Sequence, residues 1–400
     1  MNNNVERLQA MDVLRGFALL GILLVNIQSF SMPGAAYLNP TAFGDLSGLN
    51  LWVWISTHVL ADQKFMSLFS LLFGAGIILF CDSAQKKGLS AAKLHYKRNA
   101  WLLLFGLLHA YLFWYGDILF AYSLCAFFIY LLRNKSVFTL IVVTLLFAAI
   151  SSGYSLLFGS SLEHFPADAQ SGLMEAWAPN AAALANELSA YKGSFLSAFE
   201  FRAEEAIFMQ SYVFLTYFFW RASAMMLLGM ALYKSGFFHL QWQNKSYLWL
   251  AIFGLAIGLP IVSFGVHSNF EQQFSLQYSM FLGNQFNYWG SILMGLSYAA
   301  IVVLLVKKGL FKALQLRLAA IGKTAFSNYI LHTVVFTTVF YGYGLGLFGD
   351  IERWLQLSLV LAMWALQLWL APVWLRHYRF GPLEWLWRTL TYGKAQPFKH

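Results

Sequence analysis

Residues 106–124 read GLLHAYLFWYGDILFAYSL, and this stretch decides the fold. Two apolar runs flank the short segment Trp114-Tyr115-Gly116, and the ionisable groups other than tyrosine phenols are His109 and Asp117. A chain in lipid must satisfy its backbone hydrogen bonds internally, which favours helices. The stretch therefore predicts a membrane hairpin of two helices joined by a tight turn.

The rest of the chain has the same character. Its 400 residues are 59% hydrophobic and 11% charged, whereas a soluble domain has about 25% charged residues. Apolar runs of about 20 residues, enough to cross a bilayer, recur along the whole length. We therefore predict an all-α, polytopic transmembrane helical bundle that forms a single domain over residues 1–400. The ten predicted spans are 11–30, 62–82, 99–115, 117–133, 137–158, 208–232, 246–266, 283–306, 325–345 and 354–375.

The positive charge is distributed by loop. The formal net charge is +9, and lysine and arginine concentrate in alternate loops between the predicted spans. This asymmetry is the topology signal of membrane proteins and places both termini in the cytoplasm. We accordingly expect no nucleic-acid partner. Cys81 and Cys125 lie inside apolar runs, so the sequence predicts neither a disulfide framework nor a metal site.

Two segments lie outside the spans on this map. Residues 159–207 form an outer, periplasmic segment, either a small cap of surface helices or a flexible loop. Residues 381–400 form a cytoplasmic interfacial tail, in which Pro382 begins a helix and Trp385 and Trp387 suit the inner interface.

Ionisable and polar side chains at membrane depth are functional candidates because their burial is costly. Asn26, Lys64, His109 and Asp117 all map to the outer third of the membrane, and we predict that they form a catalytic site. Three of them have a plainer alternative: His109 as a hydrogen-bonding residue between packed helices, Asp117 as a helix N-cap, and Lys64 as a side chain that extends to the interface.

Other polar residues are candidates for substrate or donor binding. Arg221 falls near the middle of a span, where lining a polar cavity is the favoured role. Asn328 and His332 lie one turn apart on one helix face, and Asp12 and Arg15 form either a local pair or an anion site. The complete set is Asp12, Arg15, His58, Arg221, Asn328 and His332.

Five motifs are distributed along the chain. They are MDVLRGFALLGILLVNI at the start, KFMSLFSLLFGAG at 64–76, GLLHAYLFWYGDILFAY at 106–122, GKTAFSNYIL at 322–331 and GPLEWLWRTLT at 381–391. Together they resemble the YeiB-like family of bacterial inner-membrane proteins. The resemblance runs from one terminus to the other and implies a multi-pass protein of the bacterial inner membrane. The family carries a domain of unknown function.

That family is similar, at a distance, to polytopic membrane acyltransferases. Their first helix resembles D-x-L-R followed by a histidine fourteen residues after the aspartate. Asp12 and Arg15 match, but the histidine position holds Asn26, and asparagine cannot act as a general base. The resemblance then implies that His58 or His109 replaces the base, or that this branch has different chemistry.

The sequence leaves three functions open. The first is acyl transfer from a cytoplasmic donor to a periplasmic-side acceptor, with His109 as base, Asp117 orienting it, and Asn26 and Lys64 stabilising the oxyanion. The second is a transporter or lipid-handling protein, and the third a non-catalytic membrane component.

We expect no covalently bound cofactor or metal. The expected partners are membrane lipid and, under the first hypothesis, acyl-coenzyme A and a lipid or saccharide acceptor, with a homodimer as the candidate assembly.

Overall fold

The computed structural model describes residues 2–400, with side chains from residue 9 onward, and in this range the chain is an all-α bundle. The only strand-like pairing in that range is one antiparallel bridge between Tyr378 and Lys399. The predicted fold class is confirmed. The helices are α1 Asn2–Ser31, α2 Ala35–Leu38, α3 Gly48–Leu60, α4 Lys64–Lys86, α5 Ala91–Leu112, α6 Leu119–Ile129, α7 Val137–Ser161, α8 Ala167–Trp177, α9 Ala181–Lys192, α10 Phe195–Phe208, α11 Phe219–Lys234, α12 Asn244–Glu271, α13 Asn284–Lys307, α14 Lys312–Lys323, α15 Ala325–Phe340, α16 Arg353–His377 and α17 Pro382–Tyr392.

Two π-helical stretches interrupt the regular geometry. Met209–Phe218 joins α10 to α11, and Leu276–Gly283 runs directly into α13. Short 3₁₀ turns follow α6 at Tyr130–Leu132 and α7 at Leu162–His164. Wide helical turns of the π type occur frequently at functional sites, and the helices that follow them are α11 and α13.

Seven helical stretches of the described chain are long and apolar enough to cross a membrane. They are Gln9–Ser31, Gly48–Lys86, Val137–His164, Phe195–Lys234, Asn244–Glu271, Leu276–Lys307 and Arg353–His377. The other three predicted spans, 99–115, 117–133 and 325–345, overlap α5, α6 and α15. The 16 residues of α15 extend only about 24 Å. The count of ten spans and the cytoplasmic placement of both termini remain predictions.

Burial separates an inner group of helices from an outer one. The apolar windows of α1 and of the α3–α4 stretch are 67% and 61% buried, whereas those of α7, α12 and α16 are 28%, 33% and 22% buried. The outer helices expose large apolar side chains, including Phe138, Leu157, Phe253 and Trp369. In a multi-pass membrane protein this is the surface that faces lipid.

Small residues allow the central helices to approach closely. A Cβ added at Gly74 of α4 would overlap the Met226 carbonyl of α11, and one at Gly229 of α11 would overlap the Leu71 carbonyl of α4. Close backbone contact through glycine is a common packing mode between membrane helices. It fixes α4 against α11, and these two helices carry the buried cations described below.

The segment 159–207 contains helices rather than an irregular loop. It comprises α8, α9 and most of α10. Asn180 and Ser194 are the N-cap residues of α9 and α10. Their side chains accept hydrogen bonds from the backbone N–H groups of Ala183 and Ser197. These caps satisfy backbone N–H groups that lack a partner in the first helical turn.

Candidate active site

The hairpin of α5 and α6 places His109 against Asp117. Asp117 Oδ1 lies 2.7 Å from His109 Nδ1, and Oδ2 accepts a hydrogen bond of 2.7 Å from Phe120 N–H at the start of α6. The two side chains are 2% and 1% exposed. The sequence left two roles open for Asp117, an N-cap and a partner of His109, and the two carboxylate oxygens perform both.

A third residue completes a chain of hydrogen bonds. His109 Nε2 lies 2.9 Å from Thr333 Oγ1, which α15 contributes. A carboxylate only accepts hydrogen bonds, so with Asp117 ionised and the ring neutral, Nδ1 carries the proton and Nε2 accepts from the threonine hydroxyl. The relay Asp117–His109–Thr333 has the connectivity of an acid–histidine–hydroxyl triad.

Aromatic rings enclose the relay. The Trp114 and Tyr329 rings lie 6.3 and 5.2 Å from the His109 ring, centroid to centroid. Trp114 is 2% exposed, and its Nε1–H has no hydrogen-bond partner among the described residues. A buried donor without an acceptor is costly, so Trp114 Nε1 is available to a ligand atom that binds beside His109.

Lys64 belongs to a second polar cluster. Its Nζ is fully buried, donates to the His58 carbonyl at 2.8 Å and donates to Asn287 Oδ1 on α13. Asn287 in turn donates to Asp62 Oδ2 at 2.7 Å, and His58 Nδ1 lies 3.4 Å from the same oxygen. The ammonium group of Lys64 is therefore held inside the bundle rather than at the protein surface.

Arg221 lies next to this cluster and is fully buried. Its Nη2 donates to the hydroxyls of Ser67 and Ser291 at 3.0 and 2.6 Å, and its guanidinium lies 4.4 Å from the Tyr288 ring. Nε and Nη1 have no partner among the described residues. The cation is therefore stabilised by hydroxyls and a ring face, and its remaining N–H groups are unused.

The structure does not bring together the four residues that were predicted to form one outer site. His109 and Asp117 are joined, whereas no contact within the described chain links either of them to Lys64. Asn26 is half-buried on α1, and its side chain makes no hydrogen bond in the same part of the structure. The catalytic roles of Asn26 and Lys64 remain predictions, without support from a shared geometry.

The remaining candidates form two further groups, one between α15 and α16 and one within α1. His332 Nε2 lies 2.9 Å from Gln367 Oε1, and Gln367 Nε2 donates to Asn328 Oδ1 at 3.1 Å. The predicted common face of Asn328 and His332 is thus a hydrogen-bonded seam with α16. In α1, Arg15 Nη1 donates to Asp12 Oδ1 at 2.9 Å, which makes these two residues a local pair.

One acidic residue outside the spans is also perturbed. Glu187 of α9 is half-buried and accepts a hydrogen bond of 2.9 Å from Gly34 N–H. Burial raises the pKa of Glu187 to about 7, and the nearby Glu205 carboxylate adds to the rise, although the Gly34 N–H opposes it. This side chain ties the outer helices to the segment that follows α1.

Sequence reasoning missed Thr333, Trp114 and Asn287 as members of these clusters. Thr333 directly follows the predicted His332, and Trp114 lies within the quoted hairpin, so their neighbourhoods were recognised. Their roles depend on contacts between residues far apart in the chain, such as the 224 positions between His109 and Thr333. Periodicity within one span carries no such information.

Comparison with known proteins gives relatives along the whole chain. A family model described as a protein of unknown function (DUF418) matches residues 232–394. The uncharacterised protein YeiB of Escherichia coli (strain K12) is 32% identical over 396 residues, which cover 98% of each chain. The uncharacterised protein YxaH of Bacillus subtilis (strain 168) is 30% identical over 414 residues, covering 98% of this chain and 96% of its own.

Proposed function

The chain belongs to the YeiB-like family, and from its buried side chains we propose that the protein is a membrane acyltransferase centred on His109. The observation that carries this proposal is the relay in which Asp117, His109 and Thr333 are joined by contacts of 2.7 and 2.9 Å. The proposal includes location in the bacterial inner membrane. It also includes acyl-coenzyme A as the donor and a hydroxyl of a periplasmic-side lipid or saccharide as the acceptor.

The first half-reaction forms an acyl-enzyme. His109 Nε2 takes the proton of the Thr333 hydroxyl while Oγ1 attacks the carbonyl carbon of an acyl thioester. The carbon–sulfur bond breaks, a carbon–oxygen bond forms, and the proton passes from Nε2 to the leaving thiolate. Asp117 holds the ring in the required tautomer and stabilises the imidazolium that forms transiently.

The second half-reaction returns the enzyme to its first state. An acceptor hydroxyl gives its proton to His109 Nε2 and attacks the acyl carbon, and the bond to Thr333 Oγ1 breaks. Thr333 then recovers the proton from the ring. General base catalysis of this kind contributes about 10²–10⁴-fold to a rate.

An oxyanion forms in both half-reactions and needs a hydrogen-bond donor. Two buried donors on the rings around His109 have no hydrogen-bond partner within residues 2–400, Trp114 Nε1 and the Tyr329 hydroxyl. Loss of one oxyanion donor costs about 10²–10³-fold in turnover elsewhere. We assign this role to Trp114 in place of Asn26 and Lys64, neither of which hydrogen-bonds to His109 in the described part of the chain.

Radiolabelled acetyl- and palmitoyl-coenzyme A, supplied to the purified protein in lipid nanodiscs, test the proposal. Label is expected to enter the lipid fraction, to be lost in His109→Gln and Thr333→Val, and to be retained in Thr333→Ser. His95→Gln is the matched control, because His95 is a buried histidine on the same helix that contacts the Ala126 carbonyl. Transfer that survives His109→Gln, or that falls equally in His95→Gln, would reject the assignment.

A second candidate function rests on Arg221 and Lys64. Two fully buried cations close to neutral hydrogen-bond acceptors favour the passage or capture of an anion within the membrane. Flux of small carboxylates into reconstituted vesicles, abolished by Arg221→Met and unaffected by His109→Gln, would favour transport over acyl transfer. Absence of flux in the unmodified protein would reject it.

A further inference from the structure

A cavity of about 560 Å³ lies at the end of the bundle where α4, α6 and α11 finish. On the loop-charge map this is the cytoplasmic side, opposite to the turn that carries Asp117. None of the residues predicted from sequence as catalytic or binding lines it. The polar and charged residues that matter for its chemistry are Asp82, Arg133, Asn134, Lys234, His239 and Gln241.

The two cations of the cavity are fixed by the main chain rather than by a carboxylate. Arg133 Nη1 donates to the Tyr130 carbonyl at 3.2 Å, and its guanidinium lies 3.8 Å from the Tyr130 ring. Lys234 Nζ donates to the Lys135 carbonyl at 2.6 Å. No ion pair joins either cation to Asp82 in the described structure, although the Asp82 charge acts on Lys234 from a greater distance.

The available donors suit a phosphate group. An arginine has five N–H donors in a planar fork that matches phosphate oxygens, and lysine adds a compact point charge. Asn134 and Gln241 supply amide N–H groups at the same opening. The volume is within the range of pockets that take small molecules and is far larger than one phosphate ion requires, which indicates a phosphate ester with an attached body.

Asp82 restricts the ligand further. As a carboxylate it accepts hydrogen bonds and repels a second anionic group, so the part of the ligand that reaches it must offer a hydroxyl or an amine. We propose that this cavity binds a phosphate ester, with Arg133 and Lys234 holding the phosphate and Asp82 accepting a hydrogen bond from a hydroxyl or amino group of the same ligand. The inference does not rest on the Thr333 relay, which lies at the other end of α6.

Two kinds of molecule share this chemistry, a soluble nucleotide-type ester and a lipid headgroup. Binding to the full-length protein in nanodiscs of neutral lipid is therefore measured with two sets of probes. The first set is coenzyme A and adenosine diphosphate, and the second is short-chain phosphatidylethanolamine and phosphatidylglycerol. Short-chain diacylglycerol, which has no phosphate, is the negative probe. Saturation by the first set alone identifies a soluble ligand, and saturation by the second alone identifies a headgroup; either outcome supports the proposal.

The variants Arg133→Gln and Lys234→Gln are expected to weaken binding at least about tenfold each, since a lost charge-assisted hydrogen bond exceeds about 1.4 kcal/mol. Lys135→Gln is the matched control, because it removes one charge from the same loop while its exposed side chain does not line the cavity. Equal thermal unfolding midpoints show that the variants fold. An equal loss in Lys135→Gln, or no saturable binding of any phosphate-bearing probe, would overturn the proposal.

Discussion

Because α5 and α6 lie close together at Gly106, this position has no room for a larger residue. A Cβ added at residue 106 would overlap the Phe120 backbone nitrogen and would lie 2.9 Å from Asp117 Oδ2. The same oxygen accepts the Phe120 N–H bond that begins α6. Gly106→Ala must therefore separate the two helices at the point where Asp117 holds both His109 and the helix start.

The expected cost has two parts. Inserting a methyl group into a packed contact costs about 1–3 kcal/mol, and loss of a helix N-cap costs about 0.5–2 kcal/mol. Together they predict that Gly106→Ala lowers the free energy of unfolding by about 1.5–5 kcal/mol. Because the displaced carboxylate also holds the His109 ring, the acyl transfer proposed above should fall with it.

Thermal unfolding of the purified protein, followed by intrinsic fluorescence, measures the effect. Gly153→Ala is the matched control, since a Cβ at that helical glycine of α7 would meet no atom within 4 Å. We expect a clearly lower midpoint for Gly106→Ala and little change for Gly153→Ala. Equal midpoints for the two variants would refute the close packing of the hairpin.

Three further variants test other parts of the structure. Burial raises the pKa of Glu187 to about 7, against 4.5 ordinarily. The contribution of the Glu187 side chain to stability is therefore complete below about pH 4.5 and is lost as the pH rises through about 7. Glu187→Gln should then raise the unfolding midpoint at about pH 8 more than at about pH 5, and a difference independent of pH would count against this. Arg221→Met should leave the midpoint unchanged or higher, because it replaces a buried charge by an apolar side chain of similar size; a large fall would show that the charge is structural. Glu384→Ala should lower the free energy of unfolding by about 0.5–2 kcal/mol, and with it the midpoint, because Glu384 Oε1 accepts from the Phe326 and Ser327 N–H groups at the start of α15. An unchanged midpoint would contradict that cap.

Much of the helical architecture could be predicted because it follows from local composition. Every predicted span overlaps a helix, since apolar runs in lipid have few alternatives to helical hydrogen bonding. The residues at which the helices begin and end were less predictable. The helix predicted over 99–115 begins at Ala91, because Ser90 caps it and its basic first turns are compatible with helix. The span predicted to reach residue 345 ends at Phe340, where Tyr341 becomes extended ahead of three glycines.

The candidate site was predictable only where its parts are close in sequence. His109 and Asp117 lie eight positions apart across one turn, so their contact follows from the hairpin. The partners of Lys64 and His109 on α13 and α15 depend on which helices become neighbours, and hydrophobic periodicity within a single span does not specify this. For the same reason the contact of Lys64 with Asn287 could not be predicted from the sequence.

Reaction of the native protein with an alkyl fluorophosphonate tests the central claim most directly, because such a probe modifies a hydroxyl that a neighbouring imidazole activates and requires no knowledge of the substrate. Peptide mass spectrometry then locates the adduct. The relay predicts an adduct on Thr333 in the unmodified protein and in His95→Gln, a much smaller yield in Asp117→Asn and none in His109→Gln. An unmodified Thr333 in nanodiscs where an added serine hydrolase is fully labelled, or equal labelling in His109→Gln, would contradict the claim that His109 activates this hydroxyl.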